Sequence, residues 1–135
     1  MQTFNGNPSI KMMISDLNRP LHDLVECRGT RADGDDAGWL DSIGRCTAAL
    51  TSGDLAGADR YAGYALAQAV TTDQRMVVEV LACLLGGLAA LAMGHPQATA
   101  HCWSRIRDAH FHVEVAHAAS RMGMDVPDYH NPPLN

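Results

Sequence analysis

One segment constrains the fold of this chain more than any other. Val80 to Met93 (VLACLLGGLAALAM) runs for fourteen residues without a charge and stops at Gly94. A membrane-spanning helix needs roughly 18–20 such residues, and Arg75 and Glu79 stand at one end of this run. The segment therefore reads as a buried central helix, apolar around nearly its whole circumference, which neighbours must surround. Gly86-Gly87 in its middle lowers helix propensity by roughly 1 kcal/mol each relative to alanine. Such a pair makes sense where another element approaches closely, either a helix of the same chain or a docked partner helix.

The rest of the chain is patterned for helices. Of its 135 residues 47% are hydrophobic but only 5% aromatic. That balance favours close helix packing on small residues over strands, which draw on β-branched and aromatic positions. The length fits one domain with a buried core. We divide it into a weakly ordered N-terminal segment (1–17), a helical domain (18–124) and an extended tail (125–135).

Asn18 with Pro20 starts a first helix carrying Leu21, Leu24 and Val25 to about Cys27, and 28–38 is a polar loop. A second helix begins at Asp35 or Asp36. Leu40, Ile43, Thr47 and Leu50 form its apolar face, Trp39 flanks that face, and Gly53 ends it. The third starts at Asp54 with a stripe of Ala58, Ala62, Ala65 and Ala69, along which a neighbour can come close. Thr71 and Gln74 form a capping box for the fourth, which reaches Met93 before Gly94. Pro96 opens a fifth with Ala98, Cys102 and Ile106 and with Trp103 beside them. HFHVEV (110–115) alternates like a strand. Phe111, Val115, Ala118 and Met122 also fit a helix, and we choose helix with a kink near His110.

Composition excludes several functions. The formal charge is −5, and Lys11 is the only lysine. No basic stripe is available to neutralise phosphates or an anionic bilayer, so neither nucleic acid nor membrane is an expected partner. Cys27, Cys46, Cys83 and Cys102 form no C-x-x-C, and the N-terminus lacks the pattern of a secretion signal. We expect a cytoplasmic protein with reduced thiols.

No catalytic or cofactor motif is present, and we expect neither enzymatic activity nor a cofactor. His22-Asp23 is tied to no nucleophile. Asp33-Gly34-Asp35-Asp36 with Asp41 lacks the glycine placement and terminal Glu of a calcium loop. His110, Glu114 and His117, with His101 nearby, share a helical face at spacings a metal would accept. A solvated polar face explains them more simply, so a metal- or small-ligand-binding bundle is the alternative reading.

Two units repeat a helix–Gly–helix grammar: ALTSGDLAGADRYAGYALAQ and LAALAMGHPQATAHCWSRI. They resemble tetratricopeptide repeats. Gly53, Ala58 and Ala65 match that family's glycine and two alanines, and Gly87 and Gly94 match the two glycines in the second unit. Thr99 and Ile106 replace the second unit's alanines, and Gly53 to Gly94 is 41 residues against a family period of about 34. The implied fold is all-α: two irregular antiparallel hairpins plus flanking helices. Among families of this shape the chain resembles the small chaperones of type III secretion systems that bind the needle subunit, with Arg121-Met122-Gly123 following Trp103-Ser104-Arg105-Ile106.

The resemblance implies an amphipathic helix of a protein partner, held in an apolar groove, with homo- or hetero-oligomers compatible with it. The residues we assign to partner contact are Tyr61, Tyr64 and Trp103, aromatics of the kind that dominate hot spots, and Leu84, Gly87, Leu88 and Leu91 of the fourth helix, which with its neighbours lines the expected groove. A structural subunit that oligomerises through the apolar helix is the other alternative.

Overall fold

The computed structural model describes residues 8–29 and 36–127, with side chains from Ile10 onward. These residues form six α-helices and no strand: α1 (Pro8–Leu24), α2 (Ala37–Thr51), α3 (Leu55–Gln68), α4 (Thr72–Ala92), α5 (Pro96–Ser104) and α6 (Ala109–Ser120). A π-helical turn, Val25–Gly29, continues α1. The all-α reading holds.

Local chemistry explains where the helices begin and stop. Asp54 accepts a hydrogen bond from the Gly57 amide at 2.9 Å, and Asp108 accepts one from Phe111 at 2.8 Å, each relieving an orphan N–H at a helix start. Thr71 and Gln74 form the expected capping box of α4. Three ends are built alike, with Gly53, Gly94 and Gly123 at φ 84°, 80° and 77°. In each, the residue after the glycine donates back to a carbonyl of the last turn: Asp54 to Ala49, His95 to Ala90 and Met124 to Ala119. Glycine reaches this left-handed conformation without a Cβ clash.

Two turns therefore fold α2 on α3 and α4 on α5 as hairpins, while α3 also packs on α4. Remote in sequence, α1 packs on α6, and Arg121 pairs with Asp16 across 105 positions. The α1 stripe of Ile10, Met13, Ile14, Leu17, Leu21 and Leu24 is buried along its length. This corrects the weakly ordered segment expected over 1–17: the helix starts at Pro8 and passes through Asn18 and Pro20, because that stripe has α6 to cover it. Residues 1–7 lie outside the described residues, as does the tail beyond Pro127. Before that point the tail is anchored, with Val126 in the core and His112 Nε2 3.3 Å from the Pro127 carbonyl oxygen.

The central helix is sheathed through most of its length. Val77, Val78, Val80, Leu81, Leu84, Leu85 and Leu88 are buried, the last turn is half-covered, and Met93 is exposed. By length and composition α4 could cross a membrane, with a mean hydropathy of 1.9 over an 18-residue window, yet 44% of that window is buried within the fold. At its start Gln74, wholly buried, ties three elements together. Its amide nitrogen donates to the Gly29 carbonyl and to Asp36 Oδ1, both at 2.9 Å, and its oxygen accepts from the Val70 and Thr71 amides. Nearby, Arg28 pairs with Asp108, the cap of α6, and lies 3.7 Å from Asp73 of α4.

The stripe of α3 packs as expected, with Ala58, Ala62 and Ala65 buried and Ala69 partly so. On α2 the apolar face is rotated. Trp39, Ile43, Cys46 and Leu50 point inward and Leu40 is 37% exposed. The indole of Trp39 sits directly on Gly29, where any Cβ would collide with it, so the larger ring takes the core position. The expected kink near His110 is instead a break: α5 ends at Ser104, Arg105–Arg107 connect, and Asp108 caps α6.

Two outcomes follow from this packing. Gln74→Leu removes the amide that binds the Asp36 carboxylate and the Gly29 carbonyl and the oxygen that caps α4, and lowers unfolding free energy by about 2–4 kcal/mol in urea titration. Burial, helped by Asp59, pushes the Cys46 thiol up from 9.0 to about 11. The native state then keeps a proton the unfolded state releases, so this contribution is present below about pH 9 and lost as pH rises through about 11. The urea midpoint of the native chain should fall across that interval more steeply than that of Cys46→Ala.

Candidate functional site

The residues assigned to partner contact do not lie together on a surface. Leu84, Gly87, Leu88 and Trp103 are buried inside the chain's own α4–α5 hairpin. Trp103 lies over Gly87, its Nε1 donates to the Leu84 carbonyl at 3.2 Å, and Thr99 Oγ1 donates to the Gly87 carbonyl at 2.9 Å. The groove expected along α4 is therefore filled by α5. The glycine pair serves a helix of the same chain, the simpler of the two explanations for it. Leu91 is half-covered beside this core.

Tyr61 and Tyr64 sit apart, on α3. Their rings meet edge to face with centroids 5.9 Å apart, Tyr64 is 53% exposed, and Arg45 lies over the Tyr61 ring. Beside them a shallow cleft of about 430 Å³ is rimmed by Asp41, Arg45 and Gln68. Stacking and the Asp41–Arg45 pair at 2.9 Å account for these groups within the chain.

Polar candidates are dispersed as well. Among the described residues no three His, Cys, Asp or Glu side chains gather in a way that would hold a metal ion, so His101, His110, Glu114 and His117 form no such site there. His110 instead borders a cleft of about 560 Å³ at the Arg28–Asp108 pair, beside Pro20, Cys27 and Phe111. His22 faces Glu26 at 3.1 Å, one turn along its helix, as its acidic partner. Of the acidic run, Asp33, Gly34 and Asp35 lie outside the described residues, while Asp36 is buried and bound by Gln74.

Among the described residues the fold also leaves a trough between α1 and α2. It holds about 390 Å³ and is lined by Leu21 and Val25 on one wall and by Leu40, Ile43, Gly44 and Thr47 on the other. Leu21 and Ile43 form a buried floor, Leu40 stands partly exposed on the wall, and a Cβ placed on Gly44 would meet nothing within 4 Å. Asn18, His22 and Glu26 give it a polar rim. An apolar floor of branched side chains with a polar edge accepts apolar side chains from one face of a helix.

Sequence periodicity contained this trough in disguise. The face Leu40, Ile43, Thr47 is real but lines the trough, and the second face, Trp39, Ile43, Cys46, Leu50, takes the core. The two share Ile43. A helix with two overlapping apolar faces is the signal from which such a surface can be read.

Compared with known protein families, with curated proteins and with solved structures, the chain shows no significant match. For the core, Gly87→Leu should force the Trp103 indole off its seat and destabilise by about 1–3 kcal/mol, read as a lower melting temperature. A variant that melts like the parent would contradict the close approach.

Proposed function

We propose that this protein is a small helical adaptor or chaperone that holds an amphipathic helical segment of a protein partner in the trough between α1 and α2. The observation that carries the reading is the trough itself: a Cβ on Gly44 would meet nothing within 4 Å, and Leu40 and Thr47 line the same side of the cleft beside buried Leu21 and Ile43. A helix with apolar residues at i, i+3/i+4 and i+7 presents a ridge of apolar side chains to such a floor. Gly44 lets the incoming backbone come close, and the chain's net charge of −5 favours a segment with basic flanks.

The finer reading is a tetratricopeptide-like scaffold of two irregular hairpins working in the cytoplasm, akin to the needle-subunit chaperones of type III secretion systems. Its support is the shared use of Gly53 and Gly94 at the hairpin turns and the buried Ala58 and Ala65 on α3. A chaperone of this kind works by covering an apolar helix face that would otherwise drive polymerisation.

Leu40→Asp tests the proposal. The side chain is partly exposed, so stability should change by less than about 1 kcal/mol, while affinity for the partner helix should fall at least tenfold. The measurement is recovery of one defined helical polypeptide on the tagged native chain, followed by titration of that polypeptide against both proteins. Equal affinity for parent and variant, or a symmetric homo-oligomer as the only assembly, would overturn it.

A further inference from the structure

Two thiols flank the α4–α5 interface and have no part in the trough. The register of that interface follows from two hydrogen bonds, Trp103 Nε1 to the Leu84 carbonyl and Thr99 Oγ1 to the Gly87 carbonyl. Positions that ascend along α4 descend along α5, so Cys102 stands level with the turn Cys83–Gly86. Its Sγ lies 3.5 Å from the point a Cβ on Gly86 would occupy. Cys83 is one helical turn before Gly86 on the same edge of α4. Because Gly86 carries no side chain, nothing from α4 at that position stands between the two sulfurs.

Both cysteines are free and half-buried. Cys83 also lines a cleft of about 420 Å³ with Glu79, Arg105 and Arg107, which gives a small polar oxidant a route to it. Burial pushes the Cys83 thiol up, with the neighbouring Cys102 adding to the effect and Arg105 opposing it. The remaining cysteines are placed differently, Cys46 sealed in the core and Cys27 exposed on the π-helical turn.

We propose that Cys83 and Cys102 form a dithiol that hydrogen peroxide closes to a disulfide across the α4–α5 hairpin. One thiolate attacks the O–O bond of hydrogen peroxide; its sulfur takes OH, and the released hydroxide picks up a proton and leaves as water. The second sulfur then attacks the sulfenic sulfur, and the expelled hydroxide takes that thiol's proton. Two thiols lose two electrons and two protons in all, and one peroxide becomes two waters. The cross-link spans the Gly94 turn, pins α5 on α4 and keeps Trp103 over Gly87. Restricting the unfolded chain in this way raises the melting temperature.

The full chain, reduced and then treated with hydrogen peroxide, is alkylated and digested with trypsin without reductant. Met76–Arg105 carries both cysteines and no internal Lys or Arg, so one peptide reports on the pair. The expected product is that peptide unalkylated and lighter by two hydrogens, with dithiothreitol restoring alkylation at both sulfurs. The oxidised protein should melt higher than the reduced one. Cys83→Ser and Cys102→Ser should each abolish the product, and Cys27→Ser should retain it. Recovery of both cysteines alkylated, oxygen added to either sulfur in place of a bond, or a link to Cys27 or to another chain would each overturn the proposal. Mapping the native chain decides the matter even if a variant fails to fold.

Discussion

Contact between an indole ring and a bare backbone organises this molecule. Trp103 rests on Gly87 and Trp39 rests on Gly29, and in both places a Cβ would collide with the ring. The first contact brings α5 down onto the apolar middle of α4 and lets the Trp103 N–H reach the Leu84 carbonyl. The second closes the π-helical turn against the start of α2. With only a few aromatic residues in the chain, these two large side chains supply bulk that the alanine-rich helices cannot, each covering roughly 150–250 Å². Glycine is needed beneath them because the helices must come nearer than any side chain allows.

Polar chemistry concentrates where elements from far apart in the chain converge. Gln74 satisfies its own helix cap and at the same time binds Gly29 and Asp36, while Arg28 joins the cap of α6 to the start of α4. A buried polar group of this kind is unfavourable unless fully hydrogen-bonded, and once bonded it selects a single arrangement of its neighbours. The trough between α1 and α2 is a consequence. The π-helical turn is drawn toward Gln74, and α2 is turned so that Trp39 reaches Gly29. Leu40, Gly44 and Thr47 are left facing α1 across a gap.

The same α4–α5 closeness that removes the expected groove also brings two thiols to one edge of the interface. Filling a cleft with the chain's own helix and bringing Cys102 Sγ against the bare backbone of Gly86 are both results of removing side chains at Gly86 and Gly87. The hairpin packing closes this end of the molecule, while the open trough owes its place to Gln74 and to Trp39 on Gly29.

Helix type, most helix starts and both hairpin turns were legible in the residues themselves. Capping boxes, glycines that admit a positive φ and 3.6-residue stripes act within one or two turns of chain, so Thr71-Gln74, Gly53, Gly94 and the alanines of α3 carry their meaning locally. Three things required the fold. The helix from Pro8 is passed over by propensity, with a proline inside it, and stands because α6, about a hundred positions away, covers its apolar stripe. Which of two overlapping faces of α2 turns inward was decided by Trp39 finding a glycine on another element. Whether the glycine pair of α4 received a partner or the chain's own Trp103 was decided by hairpin geometry. Each is a competition between burial sites offered by remote segments, and a linear pattern ranks the competitors only after tertiary contact has set them against each other.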